Sequence, residues 1–285
     1  MSSVMKIESL VEDIYEVLKT NQAAEGVDVE KVIDDFGEAM KNILKNQVLT
    51  KHEDKRTLRM SNIGKQELYL WYLHNGYEAE KMTSQTLMKF LYGHATEELV
   101  LALAELSGHT VTNKQGKAEV EGIKGSMDCV IDGVLIDVKT ASPFGFKKFK
   151  EGSVRSDDPF GYLDQLRGYA ESLGKDEGGW LVIDKTNGAL CTNIESFKYD
   201  DDIKDRIKYL KCMVEDNISP EKCFAPVPDG KSGNLKLAMQ CSYCVYKRHC
   251  YPEVKVFSYS TGPRFLTKIV NYPKVNEIYD YFDEK

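Results

Sequence analysis

The stretch "GSMDCVIDGVLIDVKTAS", residues 125–142, sets Asp128, Asp137 and Lys139 into an apolar pattern on either side of Asp132-Gly133. Cys129, Val130 and Ile131 run into Asp132-Gly133, and Val134, Leu135 and Ile136 follow. Apolar, β-branched runs joined by Asp-Gly predict a hairpin with a two-residue turn. Such a turn pairs Ile131 with Val134, and the register continued outward sets Asp128 opposite Asp137. Side chains alternate between faces, so Lys139 joins the face of Asp137. Carboxylates opposed across a ladder have Cβ atoms about 4.5–5.5 Å apart and repel. Two readings follow. In one, this is the solvated face of an edge hairpin and Lys139 neutralises both aspartates. In the other, hard oxygen ligands hold a divalent cation, and the lysine stabilises negative charge developing on a phosphate.

At 285 residues the chain is long enough for one large domain or two smaller ones. Its formal net charge of -7 excludes a general polyanion-binding surface, so any nucleic-acid contact must be local. Two basic clusters offer one, "KHEDKRTLR" (Lys51 to Arg59) and "FKKFK" (Phe146 to Lys150). Nothing resembles a secretory leader, and no apolar run approaches the roughly 18 residues of a membrane span. The expected location is the cytoplasm, that of the host if the chain is phage-encoded.

Helical periodicity dominates the N-terminal part. Ile7, Leu10, Val11, Ile14 and Leu18 recur at helical spacing, as do Ile33, Phe36, Met40, Ile43 and Leu44, and both sets read as packing faces. Ser61 is a candidate cap for a short helix that stops near Gly76. Thr83 or Ser84 opens the longest helical signal, closed by Gly108. After the hairpin and a basic loop come a helix over "PFGYLDQLRGYAESLG", strands at "GGWLVID" and "ALCTNI", and an amphipathic helix from Ile203 to Val214. That order is α/β. The divisions expected are a helical region 1–82, a core 83–195 and a C-terminal segment 196–285.

Several polar residues within this order form a pattern: Gly93 and Glu97 as G-x-x-x-E on a helix, an isolated Asp128, Asp137 and Lys139 as D-x-K, and Gln165 and Tyr169 as Q-x-x-x-Y on the next helix. In that order they resemble the PD-(D/E)XK nuclease superfamily, in its RecB-like and CRISPR-associated exonuclease branch. The resemblance implies a restriction-endonuclease-like α/β core, with a central mixed sheet flanked by helices, N-terminal helices and a cysteine-rich C-terminal segment. It makes Glu97, Asp128 and Asp137, with the carbonyl of Val138, ligands of Mg²⁺ or Mn²⁺. Lys139 would orient or activate the attacking water, while Gln165 and Tyr169 would hold DNA and the site's geometry. His94 shares a face with Glu97 and is either a partner behind the metal ligands or a surface or core histidine. Two departures are visible: Met127 precedes Asp128 where the superfamily's name implies proline, and Asp137 stands where glutamate is commoner.

The implied activity is metal-dependent exonucleolytic hydrolysis at ends of linear DNA, in recombination, repair or phage DNA processing. A structure-specific or restriction-type endonuclease and a non-catalytic DNA-binding accessory protein are the alternatives. The N-terminal helices leave open a recombination protein partner and a homo-oligomer.

Of seven cysteines, Cys129, Cys191 and Cys212 are scattered through apolar patterns and read as small buried hydrophobes. Cys241, Cys244 and Cys250 form C-x2-C-x5-C, with Cys223 as a fourth thiol, a set that suits zinc or an iron-sulfur cluster. The resemblance favours a [4Fe-4S] cluster, with Zn²⁺ as the alternative. Relatives carry an upstream cysteine where this chain has Gln66. Either Cys223 replaces it or the site has degenerated to bare buried cysteines.

Overall fold

The computed structural model describes residues 6–50, 56–279 and 281. In chain order its helices are α1 (Leu10–Thr20), α2 (Val29–Leu49), α3 (Glu67–His74), α4 (Ser84–Leu106), α5 (Pro143–Lys150), α6 (Tyr162–Ser172), α7 (Ile203–Glu215), α8 (Met239–Ser242) and α9 (Lys247–Cys250). Its strands are β1 (Val111–Thr112), β2 (Gly116–Val120), β3 (Ile123–Met127), β4 (Cys129–Ile131), β5 (Val134–Ala141), β6 (Glu177–Asp184), β7 (Leu190–Ser196), β8 (Val227–Pro228), β9 (Leu235–Lys236), β10 (Lys255–Tyr259) and β11 (Gly262–Lys268). These residues fall into two compact units. One holds Arg59–Gly64, Thr83–Ile207 and the described part of 1–55, and the other the described residues of 56–58, 65–82 and 208–285.

The first unit is built on a mixed sheet of order β1-β4-β5-β6-β7, in which only β5 and β6 run parallel. Parallel neighbours need a long crossover, and α5 and α6 supply it. The hairpin sits at the centre of this sheet. Asp132 (φ 50°) and Gly133 (φ 85°) both take positive φ, as a type I′ turn requires, and Ile131 pairs with Val134 as the spacing predicts. Asp132 also accepts from the Thr110 backbone N–H and lies 2.6 Å from His109, whose other ring nitrogen is 3.1 Å from Asp13 of α1.

The ladder between β4 and β5 ends at Cys129 and Ile136, one pair short of the two aspartates. There the chain leaves the sheet for β3, which pairs with β2 instead. Asp128 is therefore a break between two strands, and its side chain is free to take a backbone donor of β5.

Alternation along β5 and β6 gives each face its character. Ile136, Val138 and Leu181 bury against Leu10 and Ile14 of α1 and Val100, Leu101 and Ala104 of α4. Asp137, Lys139 and Trp180 point to the opposite face, where Phe149 of α5 meets Trp180 with ring centroids 5.4 Å apart. The expected α/β architecture, a central mixed sheet flanked by helices, is present.

Local expectations fare unevenly. The long helix begins and ends as predicted, with Thr83 capping α4 through its hydroxyl and Gly108 in the left-handed region beyond it. The basic run 146–150 is helix rather than loop. Ser142 caps α5 by accepting from the Gly145 N–H, and Pro143 fills its first turn, where no N–H is needed. Ser61 caps nothing: it lies within a 3-10 turn, Met60–Asn62, and α3 starts only at Glu67. α2 packs along α4; within it Val32 is buried and Phe36, Met40 and Ile43 are half-buried, while Ile33 and Leu44 are more than half exposed, so the apolar stripe packs over part of its width.

The second unit carries α3 and an antiparallel sheet of order β10-β11-β9-β8 over a core of Leu237, Val254, Val256 and Phe265. Trp71 and Asn75 of α3 tie that helix to the backbone carbonyls of Asp216 and Val214, at 2.8 and 3.0 Å. Among the described residues no helix is long and apolar enough to cross a membrane.

Candidate active site

The charges of the hairpin meet on one side of β5. Asp137 is 2% exposed, and its Oδ2 lies 2.6 Å from Lys139 Nζ. That contact sets a buried carboxylate oxygen directly against the ammonium. Oδ1 accepts from Gln165 Nε2 at 3.4 Å. Asp128 uses its release from the ladder to accept the backbone N–H of Val138 at 2.8 Å, which anchors its carboxylate against the strand that carries Asp137. Burial alone would lower the Lys139 ammonium, but Asp137 and Asp128 outweigh it and hold the group above the usual lysine range. It is a fixed positive charge.

Glu97 approaches from α4, one turn after Gly93, where a Cβ would meet the Thr140 hydroxyl of β5 at an ordinary 3.6 Å. Gln115 joins the acids. Its side chain donates to Glu97 at 3.1 Å, and its backbone N–H donates to the Asp128 carbonyl at 2.9 Å. Gln115 (φ 52°) and Asn113 (φ 54°) are both left-handed, local strain of the kind that collects at functional sites.

Burial raises the Glu97 carboxyl, and Asp128, Glu98 and Asp137 add to it. Asp128 is likewise raised, by burial first and by Asp137 next. The structure therefore sets three carboxylates within electrostatic reach of one another, with one lysine to offset them. His94 is exposed on α4.

A stability prediction follows from these directions. An acid raised on folding binds more protons folded than unfolded, so it favours the folded state at low pH and disfavours it as pH climbs past the unfolded value of about 4. Without divalent ions, Glu97→Gln is expected to leave the melting temperature nearly unchanged near pH 4 and to raise it relative to the parent by pH 8. An equal difference at both values would contradict the repulsion.

Gln165 and Tyr169, four apart on α6, project together as expected. Tyr169 is buried, and burial pushes its hydroxyl up to about 12 against the opposing pull of its hydrogen bond with Gln165. Tyr169, Gln165 and Asp137 thus form a short relay. Gly125 makes room for it, because a Cβ there would lie 3.0 Å from the Tyr169 ring and 2.5 Å from Met60.

The entry to α6 is held from two sides. The Asp158 carboxylate accepts the backbone N–H groups of Phe160, Gly161 and Leu163 at 3.3, 2.9 and 2.7 Å. Gly161 (φ 78°) abuts Gly64 backbone to backbone. Tyr162 follows, and Lys139 Nζ sits 5.3 Å from the centre of its ring. Gln115, Asp158 and Tyr162 were not singled out by spacing. For Asp158 a signal existed, since Asp-Pro-Phe-Gly is a turn sequence with a capping acid.

The four C-terminal thiols lie together in the second unit. Burial pushes Cys241 up to about 12 and Cys244 up to about 11, and in each case the other thiols add to the shift. Burial also raises Cys223 and Cys250. Cys223 is drawn the other way by the backbone N–H groups of Leu68 and Tyr69 at the start of α3, whose N-cap is Gln66. Cys244 Sγ accepts the Tyr246 N–H at 3.4 Å. Cys129 and Cys191 are buried as expected, but Cys212 is exposed because it falls off the Ile203, Ile207, Leu210 and Val214 stripe of α7. Among the described residues, no three His, Cys, Asp or Glu side chains are arranged to hold a metal ion. Neither the acids nor the thiols form a closed cage.

No family profile matches the chain, and no curated protein is similar to it. Among solved structures it is similar to SSO0001 at 16% identity, over 75% of this chain and 94% of that one, with a TM-score of 0.39. It is similar to a phage-related exonuclease from Haemophilus somnus 129PT at 15% identity, over 55% and 91%, with a TM-score of 0.40. A third is an alkaline exonuclease, LHK-Exo, from Laribacter hongkongensis, at 16% identity, over 54% and 89%, with a TM-score of 0.36. Likenesses this distant leave the chemistry to be argued from the site.

Proposed function

We propose that the chain is a divalent-metal-dependent deoxyribonuclease of the PD-(D/E)XK type, hydrolysing phosphodiester bonds at ends of linear DNA. One observation carries the reading: the buried Asp137 and the charged Lys139 share a face of β5, and the half-buried Asp128, between β3 and β4, is anchored to that same strand by the Val138 N–H. A solvated edge hairpin is the wrong description for an Asp137 that is 2% exposed.

The chemistry of the donors, carboxylate oxygens beside a backbone carbonyl, suits a hard divalent ion. Asp137 Oδ2 is buried with only an ammonium beside it among the described residues, and burial raises both Glu97 and Asp128, with Asp128 adding to the shift of Glu97 and Asp137 to that of Asp128. Glu97, Asp128, Asp137 and the Val138 carbonyl would hold Mg²⁺ or Mn²⁺. The open arrangement suits an ion that keeps several waters and takes a substrate phosphate as ligand. When bound, the ion lowers the pKa of a water and neutralises charge on phosphorus.

The chain's own residues do the rest. Lys139, kept protonated by Asp137, offers its ammonium to a non-bridging phosphate oxygen as negative charge builds there. Gln165 holds Asp137 at Oδ1, and Tyr169 steadies Gln165. The Val138 N–H fixes the rotamer of Asp128 while leaving its other oxygen available. Water adds to phosphorus as the P–O bond to the leaving oxygen breaks.

Incubation of matched linear and closed circular DNA with Mg²⁺ or Mn²⁺ tests the exonuclease reading. Loss of the linear form alone is expected. Cutting of the closed circle would replace it with the endonuclease, and binding without any product would replace it with the accessory protein.

For the thiols we propose a [4Fe-4S] cluster, with zinc as the alternative, tying the C-terminal segment to α3. Cys223, at the first N–H groups of α3, reaches the helix end that begins at Gln66, so no thiol is needed at 66. Protein purified without oxygen should absorb in the visible. Colourless, zinc-free protein would remove both versions.

A further inference from the structure

Aromatic rings gather at the rim of this site, and no step proposed above uses them. Phe144, in the first turn of α5, is 66% exposed only five residues after Lys139. The same helix carries Lys147, Lys148 and Lys150. Lys148 lies 5.2 Å from the centre of the Phe144 ring and ion-pairs with Asp157, which opens the turn into α6. One lysine thus brings Phe144 and that turn to the same place. On the turn, the Phe160 and Tyr162 rings stand 5.6 Å apart at an interplanar angle of 35°. Both are half-buried. Tyr162 is the ring beside the Lys139 ammonium.

An exposed phenylalanine gains nothing from water, and burying such a ring contributes a favourable term wherever a partner offers a flat apolar face. The backbone that carries Phe160 and Tyr162 is also firmly held. Asp158 holds the backbone from Phe160 to Leu163, and Gly161 is pinned on Gly64. Aromatic faces interleaved with lysines, next to a lysine that handles phosphate, match what a nucleotide offers: a flat base attached to an anionic backbone.

We propose that Phe144 and the Phe160–Tyr162 pair form a base-stacking subsite that holds the nucleobases adjoining the phosphodiester presented to Lys139. The proposal rests on the nucleic-acid reading above and adds a ligand that reading lacks. Stacking uses the face of a base and not its edge, so the subsite is tolerant of sequence. It also requires that the face be exposed, so a nucleotide occupying it is unstacked from its neighbour.

The test is binding of a dye-labelled oligodeoxythymidylate to the full chain, by fluorescence anisotropy, in chelator and again in Ca²⁺. Each base is replaced in turn by an abasic residue, with every phosphate kept. In the parent, one or two adjacent abasic positions should weaken binding about ten-fold. Phe144→Ala and Tyr162→Leu should each erase that penalty at one position, while Tyr162→Phe and Phe144→Trp keep it. Uniform affinity along the parent's abasic series, penalties that survive both substitutions, or no binding in either condition would overturn the proposal.

Tyr162 acting solely as a rest for Lys139 would lower turnover in Tyr162→Leu and leave the abasic pattern intact, which also overturns it. DNA hydrolysis is scored separately. An abasic penalty without hydrolysis keeps the subsite and removes the nuclease, and hydrolysis without a penalty does the reverse.

Discussion

Asp137→Asn should lower DNA hydrolysis by at least about 10³-fold, the scale seen when one charged or donor group is removed from a site that acts electrostatically. The substitution keeps the side chain's shape and the acceptor that Gln165 uses, so what changes is the charge beside Lys139 and Asp128. Lys139 keeps Asp128 as a counter-charge. The fold should therefore survive, and circular dichroism should show parent and variant equally folded at the assay temperature. Near-parental hydrolysis by a folded Asp137→Asn chain would mean that the chemistry lies elsewhere.

Gly161→Ala is the largest structural effect expected. Its φ of 78° is unfavourable for any residue with a Cβ, and that Cβ would lie 2.1 Å from the carbonyl oxygen of Gly64. Backbone must move on one side or the other. The left-handed conformation alone costs about 1–2 kcal/mol, and the overlap should bring the loss to about 3 kcal/mol or more in a urea titration. Gly152→Ala is the control. It shares a positive φ of 69° but has nothing within 4 Å of the new methyl, so it should lose only about 1 kcal/mol. Equal losses would show that the Gly64–Gly161 contact is not tight. Because Tyr162, Gln165 and Tyr169 all follow Gly161, the same variant should also bind DNA more weakly.

How far the sequence foretold this site depends on the kind of signal. Asp-Gly between β-branched runs dictates a type I′ turn, and from that turn the register and the shared face of Asp137 and Lys139 follow by counting. Helical spacing likewise placed Gln165 with Tyr169. Counting failed where the chain leaves regular structure. The ladder ends before Asp128, because β3 departs to pair with β2, and a period-2 pattern carries no mark of that departure.

Gln115 was invisible for a similar reason, since its role depends on a left-handed backbone that no periodicity encodes. The lysine-rich run after β5 was read from its charge as a loop, although Ser142-Pro143 is a helix start. In α2 spacing finds the apolar stripe but not how deeply each position is covered: Phe36, Met40 and Ile43 are half-buried while Ile33 and Leu44 stay exposed.

The most direct measurement is nucleotide release from end-labelled linear DNA by the parent chain in Mg²⁺, in Mn²⁺ and in excess chelator. Release with at least one of the ions and none in chelator is the expected result. Release that persists in chelator, or no release under any of the three conditions, would contradict a metal-dependent nuclease built on Asp128, Asp137 and Lys139.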